Sequence, residues 1–265
     1  MEIWYNLKHV EEKIMPKFFV EEKQVNGEKI NIIGNDVNHI KNVLRQKIGD
    51  TITICNSSNM KDYLCEILKV TDQNIECKIK EELEDNIESN IHVTIMQGLP
   101  KADKMELVIQ KSVELGVYDI TPIEMKRCVV KLNDKDKQKK IARWQKISEV
   151  AAKQSGRNII PNINPVINIK NICNLLSEYD IVLVAYENEK ERTIKEELKK
   201  IKQSYNKEQI IKIAVVIGPE GGISEEEIEL LKQNGAETIT LGKRILRTET
   251  VALNVLSVVL YELEI

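Results

Sequence analysis

Two continuous apolar runs constrain this chain most. Residues 181–185 read IVLVA and residues 210–217 read IIKIAVVI, each flanked by helical patterns. Strands apolar on both faces must be buried on both, as happens in parallel sheets covered by helices. The chain from residue 91 onward fits that scheme. Strands are expected at 91–96, 117–123, 181–185, 210–217 and 238–241, and helices at 102–115, 133–154, 192–203, 224–233 and 249–263. Such alternation gives an α/β domain with a parallel sheet. Gly116 stands where a left-handed cap would end the helix at 102–115. In 133–154, Ile141, Trp144, Ile147 and Val150 are expected on one face.

Residues 17–80 follow a shorter period. Apolar alternation at 18–20, 30–33, 51–55, 63–70 and 75–79 is punctuated by Asn26-Gly27, Gly49-Asp50 and Asn56-Ser57-Ser58-Asn59. One helical stretch interrupts at 36–46, with Val37, Ile40, Val43 and Leu44 at helical spacing. A small β-barrel carrying one helix is expected. Residues 81–90 are polar and acidic and read as a linker. The chain therefore divides into an N-terminal extension at 1–14, a barrel at 15–82, a linker at 83–90 and an α/β domain at 91–265.

Charge and composition narrow the function classes. Net charge is −3, whereas a general nucleic-acid binder is strongly basic. Any RNA contact must come from local patches. The five cysteines (Cys55, Cys65, Cys77, Cys128 and Cys173) are odd in number and show no CxxC spacing, so buried thiols are expected rather than disulfides or zinc. His9, His39 and His92 are scattered, and no metal is expected. No segment has the length of a membrane span or the pattern of a signal peptide. A cytoplasmic protein without a membrane partner is the expectation.

Chemistry concentrates after two late strands. The run 210–217 ends in Gly218-Pro219-Glu220-Gly221-Gly222, and Ser224 with Glu227 forms a capping box for the next helix. Ligands of parallel sheets bind at the carboxyl ends of strands. The loop is neither a P-loop nor a GxGxxG fingerprint. Glu220 would repel a pyrophosphate. A ligand with a cationic centre and no phosphate suits it better, and S-adenosyl-L-methionine carries a sulfonium and an ammonium. On glycine content alone, a plain strand-to-helix turn accounts for the loop slightly better. The second segment, 241–253, reads LGKRILRTETVAL. Lys243, Arg244 and Arg247 follow its strand, and Thr248 or Thr250 is placed to cap the helix. That helix is apolar nearly all round and needs burial on more than one face, in the domain core or at a subunit interface.

IGPEGGIS followed by LGKRILRTETVAL resembles the two C-terminal motifs of the RsmE family. MPKFFV, HIKNVLRQKIGD, KADKMELVIQKSVELGV and RWQKISEVAAKQSGR are similar to further segments of that family, in its order. Lys17 and Asn38-His39 depart from it. The resemblance implies an enzyme of the SPOUT superfamily that methylates N3 of a uridine in 16S ribosomal RNA of the small subunit, using S-adenosyl-L-methionine. It implies a PUA-like RNA-binding β-barrel, a parallel sheet with a deep trefoil knot, and a homodimer. It carries cofactor contacts to Ala185, Tyr186, Ile217, Gly218, Pro219, Glu220, Gly221, Gly222, Leu241, Gly242, Arg244, Ile245, Leu246, Arg247 and Thr250.

Uridine N3 bears a proton that must leave during methylation. Arg247 is a candidate to stabilise charge on the uracil oxygens. Glu249 or Glu220 is a candidate to accept the proton, although a carboxylate in a first helical turn is also explained by the macrodipole. RNA contacts are expected from Lys17, Arg45, Lys101, Lys104, Arg127, Arg143 and Arg157, with Lys153 on the same basic track, although each taken alone reads more readily as an ordinary solvated cation. Rival readings are a knotted methyltransferase acting on a ribose hydroxyl or transfer RNA, and a non-catalytic ribosome-assembly factor.

Overall fold

The computed structural model describes residues 17–83, 87–204, 206 and 209–264. The expected extension at 1–14 and part of the expected linker lie outside the described residues. The chain divides into two compact units, Met1–Ile87 and Glu88–Ile265.

In the first unit, β1 (Lys17–Val20), β2 (Val25–Asn26), β3 (Lys29–Ile33), β4 (Thr51–Asn56), β5 (Lys61–Val70) and β6 (Asn74–Leu83) form one sheet. Its order is β1-β4-β5-β6-β3-β2. Only β1 and β4 run parallel; the other pairs are antiparallel. The period of two is clean in β3, where Ile30 and Ile32 point in and Lys29, Asn31 and Ile33 point out. Phe18 from one end of the sheet shares a core with Ile30 from the other, and with Ile52, Ile54, Ile67 and Ile75. The sheet therefore curls around its own apolar face. β6 extends to Leu83, paired with Asp62, so the start of the expected linker is strand.

The expected helix at 36–46 is shorter. α1 (Asn35–Asn38) passes into a wide turn over His39–Val43. The Leu44 N–H bonds to the His39 carbonyl, five residues back, at 2.9 Å. Widening the helix changes the direction in which the later side chains point. Val37 and Ile40 still reach the core, but Val43 is 60% exposed.

The second unit runs β7 (Ile91–Gly98), α2 (Lys104–Glu114), β8 (Asp119–Glu124), α3 (Asp134–Gln154), β9 (Asn162–Ile163), β10 (Ile167–Asn168), α4 (Ile169–Cys173), β11 (Ile181–Ala185), α5 (Ile194–Ser204), β12 (Ile211–Ile217), α6 (Glu225–Gln233), β13 (Glu237–Ile239) and α7 (Thr248–Leu263). The sheet order is β10-β8-β7-β12-β11-β13, with β9 also on β8. Every pair is parallel. Ile213, Ala214, Val215 and Val216 are fully buried, as a strand covered on both faces requires.

Helix boundaries follow local chemistry. α2 starts at Lys104 rather than 102 because Ala102 adopts φ +54°, and it ends before Gly116 at φ +98°. Asn133 caps α3 by accepting the Asp136 N–H at 2.9 Å. The buried face of α3 is Trp144, Ser148, Ala151 and Ala152, which shares Trp144 with the expected face, while Ile141 and Ile147 are half-buried. Val150 is exposed. Those small residues let α3 lie close against α2, and the Ser148 hydroxyl donates to the Pro161 carbonyl at 2.6 Å. α7 packs on β7, β12, α2 and α5. This intrachain contact buries Ala252, Val255, Leu256, Val259 and Leu263, which meets much of its need for cover. All five cysteines are buried thiols. Among the described residues, no helix is long and apolar enough to cross a membrane.

Candidate functional site

The carboxyl ends of β11, β12 and β13 open into one cleft of about 570 Å³. That volume lies within the range of about 300–1,000 Å³ usual for small-molecule sites. Three loops line it: Ala185, Tyr186 and Glu187 after β11, Ile217 to Gly222 after β12, and Ile239 to Thr248 after β13. Lys104 and Val251 complete the walls.

The β12 loop is a tight turn, closed by the Gly222 N–H on the Pro219 carbonyl at 2.9 Å. Gly222 has φ +71°, a backbone that favours glycine. The turn also packs against the end of β7. A Cβ on Gly98 would lie 2.7 Å from Pro219 Cδ, so that approach needs a glycine. Beyond the turn, Ser224 caps α6, and Glu227 accepts the Ser224 N–H at 3.1 Å in return. Glu227 also accepts the Lys126 N–H at 2.7 Å, and Arg127 Nη1 donates to the Gly221 carbonyl at 3.1 Å. The loop after β8 thus braces the glycine turn.

Thr248 does not cap α7; Arg247 is the N-cap, without a side-chain cap bond. Thr248 Oγ1 donates instead to the Gly218 carbonyl at 2.7 Å and accepts from Gln97 Nε2 at 2.8 Å. Thr250 is exposed and does not line the cleft. It faces away because it sits inside the first turn of α7, two residues past Thr248. The other fourteen residues read as cofactor contacts all line the cleft.

The charged groups are mostly committed. Glu220 Oε1 lies 2.9 Å from Lys104 Nζ and accepts the Lys101 N–H at 3.1 Å. Partial burial opposes its ionisation, but the Lys104 and backbone donors prevail and hold the carboxyl below its ordinary value. Lys104 Nζ also lies 3.3 Å from Glu249 Oε2. That oxygen is buried and receives no directed hydrogen bond. Lys104 therefore bridges both candidate proton acceptors.

The cations read as RNA contacts scatter. Lys101 and Arg127 are exposed beside the glycine turn. Arg143 pairs with Glu106 at 2.8 Å. Arg157 is buried at 5% exposure, ion-paired to Glu88 at 2.7 Å and donating to the Val113 and Val117 carbonyls. In the first unit, Lys17 is buried at 7% exposure against Asp62, 2.5 Å away. Arg45 is exposed at φ +56°. Lys17 and Arg157 are thus inside their units rather than on their surfaces, because each has a carboxylate within reach, Asp62 buried and Glu88 half-buried.

Sequence reasoning missed Glu187, Ile239 and Thr240 on the cleft, and the role of Gln97 behind it. Glu187 directly follows Ala185-Tyr186, so its position was the available signal. Gln97 gave none, being one residue in an apolar strand.

Residues 87–260 match a family model described as an RNA methyltransferase domain, and residues 32–80 match an RNA methyltransferase PUA domain. The chain is 38% identical to ribosomal RNA small subunit methyltransferase E of Bacillus subtilis, over 95% of this chain and 98% of that one. It is 35% identical to the protein of the same name from Mesomycoplasma hyopneumoniae, over 92% and 98% of the two chains. The crystal structure of a Neisseria gonorrhoeae ribosomal RNA small subunit methyltransferase E bound to S-adenosyl methionine is 30% identical and superposes with a TM-score of 0.79, covering 93% of this chain and 97% of that one. With both domains matched and relatives aligned nearly end to end, this chain belongs to the ribosomal RNA small subunit methyltransferase E family.

Proposed function

We propose that this chain transfers a methyl group from S-adenosyl-L-methionine to N3 of a uridine in 16S ribosomal RNA. The observation that carries this reading is the cleft at the carboxyl ends of β11, β12 and β13. Its floor is peptide backbone at Gly218, Gly221, Gly222 and Gly242, which a nucleoside can approach closely. It holds no phosphate-binding Gly-Lys-Ser/Thr motif, and a carboxylate stands on its wall at Glu187. A cationic nucleoside without phosphates matches that chemistry. The Neisseria gonorrhoeae relative binds S-adenosyl methionine.

Bound in the cleft, S-adenosyl-L-methionine supplies an electrophilic methyl carbon. The protein has to position uridine N3 and take its proton. Arg247 lines the cleft and is exposed, so its guanidinium can reach the uracil oxygens as N3–H is lost. Glu220 is a poor acceptor, since Lys104 and the Lys101 N–H already stabilise its charge. Glu249 Oε2 has no directed donor. Glu249 is the remaining candidate to take the proton, held at 3.3 Å by Lys104 just behind the residues that line the cleft. Lys101, Arg127 and the exposed Lys243 and Arg244 supply phosphate contacts near the cleft, and Arg45 supplies one from the first unit.

Family membership supports further assignments. Residues 15–82 bind RNA and 91–265 carry the transferase, joined through 83–90. The C-terminal sheet is tied in a trefoil knot, two copies of the chain form a homodimer, and the assembled small subunit is the substrate in the cytoplasm. Nucleoside mass spectrometry of 16S ribosomal RNA from a strain lacking the gene tests the activity. Loss of N3-methyluridine is expected, and its retention at the wild-type level contradicts the proposal.

A further inference from the structure

Two carboxylates line the cleft, and their situations differ. Glu220 is satisfied within the protein by Lys104 at 2.9 Å and by the Lys101 N–H at 3.1 Å. Its charge is therefore not available to a ligand, contrary to what the sequence suggests. Glu187 follows Tyr186 on the β11 loop, is exposed, and has no ion pair or hydrogen bond among the described residues. Its carboxylate reaches across to the β12 turn. A Cβ on Gly222 would collide with Glu187 Oε1 and lie 3.1 Å from its Cδ. Gly222, at φ +71°, leaves the room that this carboxylate fills.

Nearby cations do not claim Glu187. Lys243 and Arg244 line the cleft from the β13 loop, yet neither pairs with it. An unpaired carboxylate on the wall of a cleft for a cationic ligand is a receptor for one of that ligand's charges. The proposed cofactor has two positive charges. A sulfonium has no N–H to donate, and its methyl must stay open to the acceptor base. An α-ammonium has three N–H donors and forms short charge-assisted hydrogen bonds with a carboxylate.

Resting on the proposed S-adenosyl-L-methionine site, we infer that Glu187 binds the α-ammonium of the cofactor's amino-acid moiety. Glu187 then fixes the amino-acid end of the ligand against the β12 turn. Glu220 serves to hold Lys104 and the turn, not to contact the ligand.

Calorimetric titration of S-adenosylhomocysteine and its deamino analogue, with hydrogen in place of the α-amine, tests this on wild-type protein and Glu187→Gln. Neither measurement depends on turnover. Wild-type protein is expected to favour the amine-bearing ligand by about tenfold, a charge-assisted contact in a half-open cleft. Glu187→Gln is expected to bind both ligands alike, at the wild-type affinity for the deamino analogue. An equal preference in the two proteins overturns the inference and leaves the site standing. So does an equal loss of both ligands in the variant, which would make Glu187 a support for the turn. Failure of wild-type protein to bind either ligand removes the site and the inference together.

Discussion

Thr248 Oγ1 donates a hydrogen bond to the Gly218 carbonyl at 2.7 Å, joining the start of α7 to the turn after β12. The same oxygen accepts from Gln97 Nε2, so three chain segments meet at one hydroxyl. Thr248 and Gln97 are both buried, and water cannot replace these bonds easily. The two loops that frame the cleft are thereby held as one piece.

Thr248→Val keeps the shape of the side chain and removes both bonds. It leaves the Gly218 carbonyl without this donor and the Gln97 amide with only the Gly98 carbonyl at 3.0 Å, at a cost of roughly 1–3 kcal/mol. For a unit of this size each 1 kcal/mol lowers Tm by about 2–4 °C. Thermal melts are expected to show that drop, with Thr248→Ser near wild type and cofactor affinity reduced only in the valine variant. An unchanged Tm in Thr248→Val contradicts the tether.

Arg157 is an internal anchor. Its guanidinium satisfies Glu88 and two carbonyls at 5% exposure. Arg157→Met leaves Glu88 partly uncompensated, and breaking a buried pair costs roughly 3–5 kcal/mol. Urea denaturation is expected to shift accordingly, while the folded variant binds RNA as wild type does. Weaker RNA binding with unchanged stability would return Arg157 to the RNA surface.

Glu189 gives the second unit an acid-sensitive fastening. Its carboxylate accepts from Thr238 Oγ1 at 2.6 Å and from the N–H groups of Lys190 and Glu191 at 3.0 Å. The Thr238 bond first, then these backbone donors, lower its pKa from 4.5 to about 2. A depressed pKa stabilises the fold above the unfolded value, and that contribution is lost as the pH falls from about 4.5 to about 2. Glu189→Gln is expected to be less stable at neutral pH and to lose less on acidification. Stability curves of equal slope for both proteins across that interval would contradict this. Glu189 pins the loop that carries Glu187, so the variant is also expected to bind cofactor more weakly.

Arg247 is placed to act on the base rather than on the donor. Arg247→Ala is expected to lower methyl transfer by about a hundredfold or more, the usual effect of losing one preorganised charge donor. Cofactor affinity, measured by calorimetry, is expected to stay within a few-fold of wild type. Wild-type turnover in the variant removes the assigned role.

The parts of the fold legible in the sequence were those with long-range periodicity. The runs at 181–185 and 210–217 match β11 and contain all of β12, because burial on both faces leaves almost no polar position to confuse the reading. Two-residue strands such as β9 and β10 have no period to detect and were invisible. The face of α3 was misjudged because apolar Val150 outranked small Ser148 and Ala151, although close packing against α2 selects for size. The site was legible at its glycine turns, where backbone demands residue type. Its charges were not. Lys17, Lys104 and Arg157 look alike in sequence, and their partners Asp62, Glu220 and Glu88 come from distant segments. Thr248 looked like a helix cap because its acceptor lies 30 residues away.

Reconstituted methyl transfer tests the central claim most directly. Purified protein would be incubated with isotopically labelled S-adenosyl-L-methionine and small ribosomal subunits from a strain lacking the gene. One labelled methyl per subunit is expected, recovered as N3-methyluridine after digestion. Label on a ribose or on another base, or no transfer at all with the cofactor bound, would contradict it.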